Sequence, residues 1–348
     1  MVLSPFLPFQ PDLNLRNPYL LAEIKRILGY WLQQGVAGFR LDAVPFMIEV
    51  ATPGNNTPPQ QYEIIPELQR FVQWHSGDAI ILGEANVPPK DNVKYFGKNG
   101  EGLQMMFNFY VNQYLFYAFA TGKISPFVKA LQDTREKPAP FQWAYFLRNH
   151  DEIDLGRLSK EQRNEVYKVF GPDTSMQLYD RVSAADWRRC LVITGSCWKC
   201  LTVCCCYAGH TCHTLWRRDW YGDDLRLQER LAVRTPMQWS AARQAGFSTA
   251  DTLFRPVISS GEYGYAQINV ATQERDANSL LHFIKEMIML RHQCPEIGLG
   301  EWQVQAIKPS VLMFQYQKDN KVLVMLHNFT DKESTLPSRQ HRKIVCRN

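Results

Sequence analysis

From Pro18 onward, apolar residues recur at Leu21, Ile24, Ile27 or Leu28, and Trp31, the spacing of one face of an α-helix. Asn17 can cap the first turn, and Pro18 suits the first helical position, where a backbone N–H is not needed. The period stops near Gln34-Gly35, and "GVAGFRLDAV" follows as a short β-prone run. The order then repeats. "EIIPELQRFVQWHS" carries the helical period, and "AIILGEAN" is an apolar run closed by polar residues. "LQMMFNF" and "QWAYFLRNHDE" share that design, with the helical pattern "ISPFVKALQDT" between them. Helices alternating with short apolar runs predict a parallel α/β architecture, because strands covered by helices need no polar face.

Further on, "DANSLLHFIKEMIMLRHQ" reads as a long amphipathic helix with Asp or Asn available as its cap. After Gly300 the period changes to two. "SVLMFQYQ" and "KVLVMLHNF" flank the turn "KDNK", which predicts a β-hairpin in a separate C-terminal β domain. The expected division is therefore residues 1–299 and 300–348. No internal repeat or low-complexity segment stands out.

Composition narrows the picture only a little. The 348 residues are 45% apolar and 21% charged, as in ordinary globular chains. No run of about 18 apolar residues is present, so no membrane partner is expected. The first residues, "MVLSPFLPFQPDLN", lack a basic region followed by a small-residue cleavage site, which favours a cytoplasmic chain. The net charge of +5 is concentrated. Val182–Gly222 carries five Lys/Arg against two Asp/Glu, and residues 337–348 carry four basic residues and no acidic one. A basic balance confined to two short segments argues against a nucleic-acid partner.

Chemistry enters at the ends of the apolar runs. Catalytic groups of parallel α/β barrels sit at the C-terminal ends of strands. Three such ends carry carboxylates: Asp42 in "GFRLDAV", Glu84 in "ILGEAN" and Asp151 in "LRNHDE". Arg40 stands two residues before Asp42, on the same strand face, where it could keep that carboxylate ionised. Retaining glycoside chemistry needs such a set: one carboxylate attacks the sugar carbon, and a second protonates the leaving oxygen and later activates the acceptor. Taken singly, each Asp also fits a helix cap, Arg40 a structural ion pair and His150 a core histidine. "MMFNFY" reads as core strand rather than a sugar platform, because its apolar run lacks strict alternation, and Phe46 and Trp143 fit packing equally well.

These patterns resemble a known family. "GFRLDAVPF", "GEAN" and "FLRNHDE" are similar to the fourth-, fifth- and seventh-strand motifs of the α-amylase superfamily. "FQPDLNLRNP", "VRTPMQWS" and "HQCPEIGLGEW" resemble more narrowly its trehalose synthase-like branch and close α-glucosidase relatives. The resemblance implies that Asp42 is the nucleophile, Glu84 the general acid/base and Asp151 a carboxylate holding sugar hydroxyls. Arg40, Asn86 and His150 would bind substrate. It implies a small α-glucoside such as maltose or trehalose, interconverted by intramolecular transglucosylation. An α-glucosidase- or α-amylase-type hydrolase, or a non-catalytic remnant of such an enzyme, is the alternative. No metal ligand or cofactor is assigned; the resemblance allows calcium in the full-length family. The implied fold is a partial (β/α)8 TIM barrel, about strands 4 to 8 with the eighth disrupted, followed by a truncated C-terminal β domain. A barrel short of its first three strands is expected to be inactive alone.

One stretch departs from the family. Seven of the nine cysteines fall within "CLVITGSCWKCLTVCCCYAGHTC", Cys190 to Cys212. Cys197, Cys200, Cys204, His210, Cys212 and His213 are candidate zinc ligands. Three adjacent cysteines cannot easily all face one tetrahedral ion, and no second CxxC completes a knuckle. Read with a one-base shift, Val182–Cys206 can encode "GIRRRLAPMLGNNRQLLEMLNSLLL", and Cys206–Gly222, shifted the other way, "ATPGTPVILYGDEIGMG". Those are segments of the family's kind, so 182–222 is read as frame-slipped and its cysteines as without function.

Overall fold

A computed structural model describes residues 13–49, 59–178, 181–182, 210–212, 223–227, 229–330 and 332–335. The chain divides into two compact units, one of Met1–Tyr110 with Asp133–Ala144, the other of Val111–Gln132 with Tyr145–Asn348.

In the first unit, helix α1 (Pro18–Gln33) starts where the capping signal places it, Asn17 accepting the Tyr19 amide through its side chain at 2.9 Å. Gly35, with φ +87°, ends it. Strands β1 (Gly38–Leu41), β2 (Ile80–Gly83), β3 (Met105–Phe107) and β4 (Gln142–Phe146) lie parallel in chain order. The register sets Gly38 against Ile80, Leu82 against Met105 and Met105 against Gln142. A Cβ on Gly38 would stand 2.4 Å from the Ile80 carbonyl oxygen, so this pairing needs glycine. Helix α2 (Val44–Met47) is a single turn after β1, α3 (Ile64–His75) precedes β2, and α4 (Asn92–Phe96) precedes β3. Ile65, Leu68 and Val72 on α3 and Ile81 on β2 are buried, the apolar stripe that the helical period announced. Trp143 is packing: its ring meets Phe96 edge-on at 5.0 Å, and its Nε1 donates to the Thr134 carbonyl at 2.7 Å.

Helix α5 (Phe109–Thr121) leads into the second unit, followed by α6 (Ser125–Asp133). Short strands β5 (Ile153–Asp154), β6 (Gln177–Leu178) and β7 (Arg181–Val182) pair antiparallel, with α7 (Lys160–Phe170) inserted and opened by a Ser159–Gln162 capping box. Strand β8 is His210–Cys212. Beyond it come α8 (Val270–Arg275), α9 (Leu280–Gln293) and α10 (Glu296–Leu299). Last, β9 (Glu301–Lys308), β10 (Val311–Lys318) and β11 (Lys321–Asn328) form an antiparallel sheet ordered β11-β10-β9. The expected hairpin is β10–β11, turning at Asp319-Asn320. Phe329 then stacks on Phe119 of α5 at 4.7 Å and lies 6.0 Å from Phe127 of α6, so this sheet shares apolar surface with both helices.

Two details differ from the sequence reading. The cap of α9 is Ser279, whose side chain accepts from the His282 amide, while Asp276 instead accepts from Asn278. Helix α5 begins inside the run read as core strand, because β3 ends at Phe107. The cysteine-rich run, with its candidate zinc ligands and frame-slipped reading, lies outside the described residues except for Val182 and His210–Cys212. Among the described residues, no helix is long and apolar enough to cross a membrane.

Candidate active site

Strand β1 ends at Leu41, and Asp42 leaves the sheet at its C-terminal end. Ala43 takes the left-handed conformation, φ 45° and ψ 44°, so the chain reverses at once. Val44 then donates its amide to the Glu84 carbonyl at 2.9 Å, and Glu84 donates its own to the Leu41 carbonyl at 2.9 Å. The backbones carrying the two carboxylates are thus laced together before their side chains meet anything.

Arg40 joins those side chains. Its Nη1 lies 2.8 Å from Asp42 Oδ1, and its Nη2 donates to Glu84 Oε2. Asp42 is the more open of the two, with 71% of its side chain exposed against 19% for Glu84. The guanidinium also sits 6.0 Å from the centroid of the Phe107 ring, at the limit of a cation–π contact. Asn86 follows Glu84 by two residues on the segment leaving β2 and is half-buried.

In the second unit, His150 and Asp151 come just after β4. His150 Nε2 lies 3.2 Å from Asp151 Oδ2. Asn149 Oδ1 accepts the Asp151 amide at 3.0 Å, an Asx turn that fixes the backbone beneath the carboxylate. Arg234 closes the cluster: its Nε donates to the His150 carbonyl at 2.9 Å and its Nη2 to Asp151 Oδ1. Upstream, Asn112 of α5 donates Nδ2 to the carbonyls of Phe146 at 2.6 Å and Leu147 at 3.1 Å. Arg148 pairs with Asp223 at 2.7 Å, with side chains 9% and 14% exposed. The segment from Phe146 to Asp151 is therefore held at nearly every step.

The structure brings Arg40, Asp42 and Glu84 together in the first unit, and His150 and Asp151 together in the second. Arg234 is the residue that sequence reasoning did not assign. Its signal was present in "VRTPMQWS", but nothing local to that motif points to a carboxylate 83 positions earlier. Among the described residues, no group of three or more His, Cys, Asp or Glu side chains is placed to hold a metal ion.

Comparison with known proteins identifies the family. Residues 2–171 and 220–300 match the family described as alpha amylase, catalytic domain. Trehalose synthase of Thermus thermophilus is 33% identical over 295 residues, 83% of this chain and 30% of that protein. Trehalose synthase of Pimelobacter sp. (strain R48) is 32% identical over 324 residues, 89% of this chain and 56% of that protein. The chain thus spans less than two thirds of the length of these relatives. Among solved structures, an alpha-amylase from H. orenii superposes with a TM-score of 0.68 at 19% identity, covering 93% of this chain and 57% of that one. An isomaltulose synthase mutant from Erwinia rhapontici NX5 gives 0.71 at 20%, covering 97% and 65%. With a family match over most of its length and a relative one-third identical to it, this chain belongs to the alpha-amylase family.

Proposed function

We propose that the chain carries retaining α-glucoside chemistry, with Asp42 as nucleophile, Glu84 as general acid/base and Asp151 as the carboxylate that holds sugar hydroxyls. The observation that carries the reading is Arg40, whose two terminal nitrogens engage Asp42 and Glu84 separately. Two carboxylates sharing one guanidinium stay close, which suits the retaining class, at about 5–5.5 Å, better than the inverting class, at about 6.5–9.5 Å. Asp42 attacks the anomeric carbon as Glu84 gives a proton to the departing oxygen, leaving a glycosyl ester on Asp42. Glu84, now a carboxylate, takes the proton of the incoming hydroxyl while that oxygen displaces Asp42. The Arg40–Glu84 ion pair favours the carboxylate needed in this second half. It must loosen for Glu84 to hold the proton needed in the first.

The substrate proposed is maltose or trehalose, because the relatives named trehalose synthase cover most of this chain. Retaining the released glucose until it attacks through its anomeric hydroxyl isomerises one disaccharide to the other. The openness of Asp42 favours a second reading, hydrolysis, in which water takes the place of that glucose. Residues 1–299 are proposed to carry the chemistry and 300–348 an accessory β domain.

Because the 348 residues alone are expected to be inactive, the test uses the longest protein that the gene encodes, incubated with maltose or trehalose, followed by chromatography of the products. Asp42→Asn should abolish all conversion, and Glu84→Gln should lower it by about 10²–10⁴-fold. A nitrophenyl glucoside, whose leaving group needs no proton, should restore the first step in Glu84→Gln but not in Asp42→Asn. Equal turnover by wild type and Asp42→Asn would refute the assignment. Sugar binding without turnover by the wild type would favour a non-catalytic module.

A further inference from the structure

A cavity of about 240 Å3 opens in the second unit, lined by the segment Asp223 to Arg226 and by Ile258, Ser260 and Tyr263. None of the residues assigned to the reaction lines it. Asp224 and Ile258 are buried, whereas Leu225, Arg226 and Ser260 are exposed, so the cavity has a closed base and an open mouth.

Both walls are fixed by backbone bonds. On one, Asp224 donates its amide to the Ala232 carbonyl at 2.9 Å and accepts the Leu227 amide at 3.0 Å. On the other, Tyr265 donates to the Ile258 carbonyl at 2.9 Å and Gly264 to the Gly261 carbonyl at 3.1 Å, closing a turn through Gly261 at φ +77°. Gln238, fully buried, braces that turn: its Nε2 donates to the carbonyls of Tyr263 at 3.1 Å and Ile268 at 2.6 Å. A pocket held in this way loses little entropy when it is filled.

Its chemistry is polar but balanced. Asp223 is paired with Arg148, and Asp224 takes both Nε and Nη2 of Arg226 at 2.8 Å. Arg226 holds the Asp224 carboxyl below the ordinary carboxylate range. Two carboxylates offset by two guanidiniums offer acceptors and donors without a net charge, which favours a neutral ligand with several hydroxyls over an ion. Ser260 and Tyr263 add hydroxyl groups that can donate or accept, while Ile258 and Leu225 supply apolar surface for a C–H face. The volume is below the roughly 300–1,000 Å3 of sites for drug-sized ligands, which leaves room for one ring.

We infer that this pocket binds a single pyranose-sized sugar unit, either a free monosaccharide or the end of an α-glucoside chain. The inference does not depend on the reaction proposed above, since it uses none of the same residues. The test is saturation-transfer NMR and calorimetry on the full 348-residue chain with D-glucose and with maltose. Wild type should bind glucose. Leu225→Trp, which fills the mouth, should weaken binding at least ~10-fold, and Ser260→Ala, which removes a hydroxyl, about 2–10-fold, the size expected for one lost neutral hydrogen bond. Both positions are exposed, and thermal melts followed by circular dichroism check that the variants stay folded. In an Asp151→Asn background, which impairs the proposed reaction site, glucose binding should persist and the two pocket variants should still weaken it. Matching affinity for maltose identifies a chain end and glucose-only binding a free sugar; either supports the pocket. Absence of glucose binding in wild type overturns it. So does binding that both pocket variants retain, or that Asp151→Asn abolishes.

Discussion

At the scale of single residues, the second unit holds two groups whose roles can be measured directly. Arg234 makes a charge-assisted hydrogen bond to Asp151 and another bond to the His150 backbone. Such bonds contribute about 1.5–3 kcal/mol, so, if Asp151 holds substrate as proposed, Arg234→Ala in the longest protein that the gene encodes should lower kcat/KM for maltose or trehalose by roughly 10–150-fold. Arg234→Lys should recover only part of it, because a lysine cannot reach both acceptors in one plane. His327 of β11 is a different case. It is buried beside Phe314, with ring centroids 5.9 Å apart, and burial pushes its pKa down from 6.5 to about 4. The unfolded chain takes up this proton near pH 6.5, whereas the fold resists it until about pH 4. Stability from this residue is therefore complete above about pH 6.5, declines as the pH falls, and levels off below about pH 4. The difference is on the order of 3 kcal/mol. In urea titrations at pH 7 and pH 4, His327→Leu should lose less stability between the two than wild type does. An identical loss would remove His327 from the account.

At the scale of elements, legibility in the sequence follows how each segment meets solvent. Helices α1 and α3 have one wet face, so their period shows, and β1, β2 and β4 show as apolar runs with polar ends. Helix α5 gives no such signal. It buries Val111, Asn112, Gln113, Leu115, Phe116 and Phe119, which fall on several faces, and a helix buried around its circumference cannot be told from a strand by periodicity. The carboxylates at Asp42, Glu84 and Asp151 were visible because each closes an apolar run. The Arg234–Asp151 pair was not, since a contact between distant segments leaves no local trace. Helix α5 also carries a testable support: Asn112 holds the last carbonyl of β4, at Phe146, and the next one, at Leu147, on the way to Asp151. Asn112→Ala should destabilise the chain by about 1–3 kcal/mol in denaturant titration, because the two carbonyls lose their donor inside the core. Asn112→Gln should not restore it, because the longer side chain must rearrange within a filled site.

At the scale of the whole molecule, the unusual feature is an interruption. The family match stops at residue 171 and resumes at 220, and the cysteine-rich run falls inside that interval. We expect the coding sequence to contain compensating one-base shifts near the codons for Arg181, Cys206 and Gly222. Reads of the genomic and transcript sequence from Arg181 to Asp223 decide the matter, and a confirmed uninterrupted frame would end this explanation. If the shifts are found, most of the basic excess of Val182–Gly222 comes from misread codons. The net charge of the restored protein should then differ from +5, which intact-mass and isoelectric measurements on that protein can show.

The lacing of Val44 to the Glu84 carbonyl and of Glu84 to the Leu41 carbonyl also sets a clock. Rotamer flips of exposed side chains take picoseconds to nanoseconds, but parting the strand ends requires paired amides to open, a local unfolding event that runs from microseconds to seconds. Asp42, whose side chain is 71% exposed, can therefore re-aim its carboxylate many times while the distance between its backbone and that of Glu84 stays fixed. If Asp42 and Glu84 act as proposed, a glycosyl ester on Asp42 would spend its lifetime beside the same acid/base group, and its fate would be decided by which hydroxyl arrives rather than by motion of the frame.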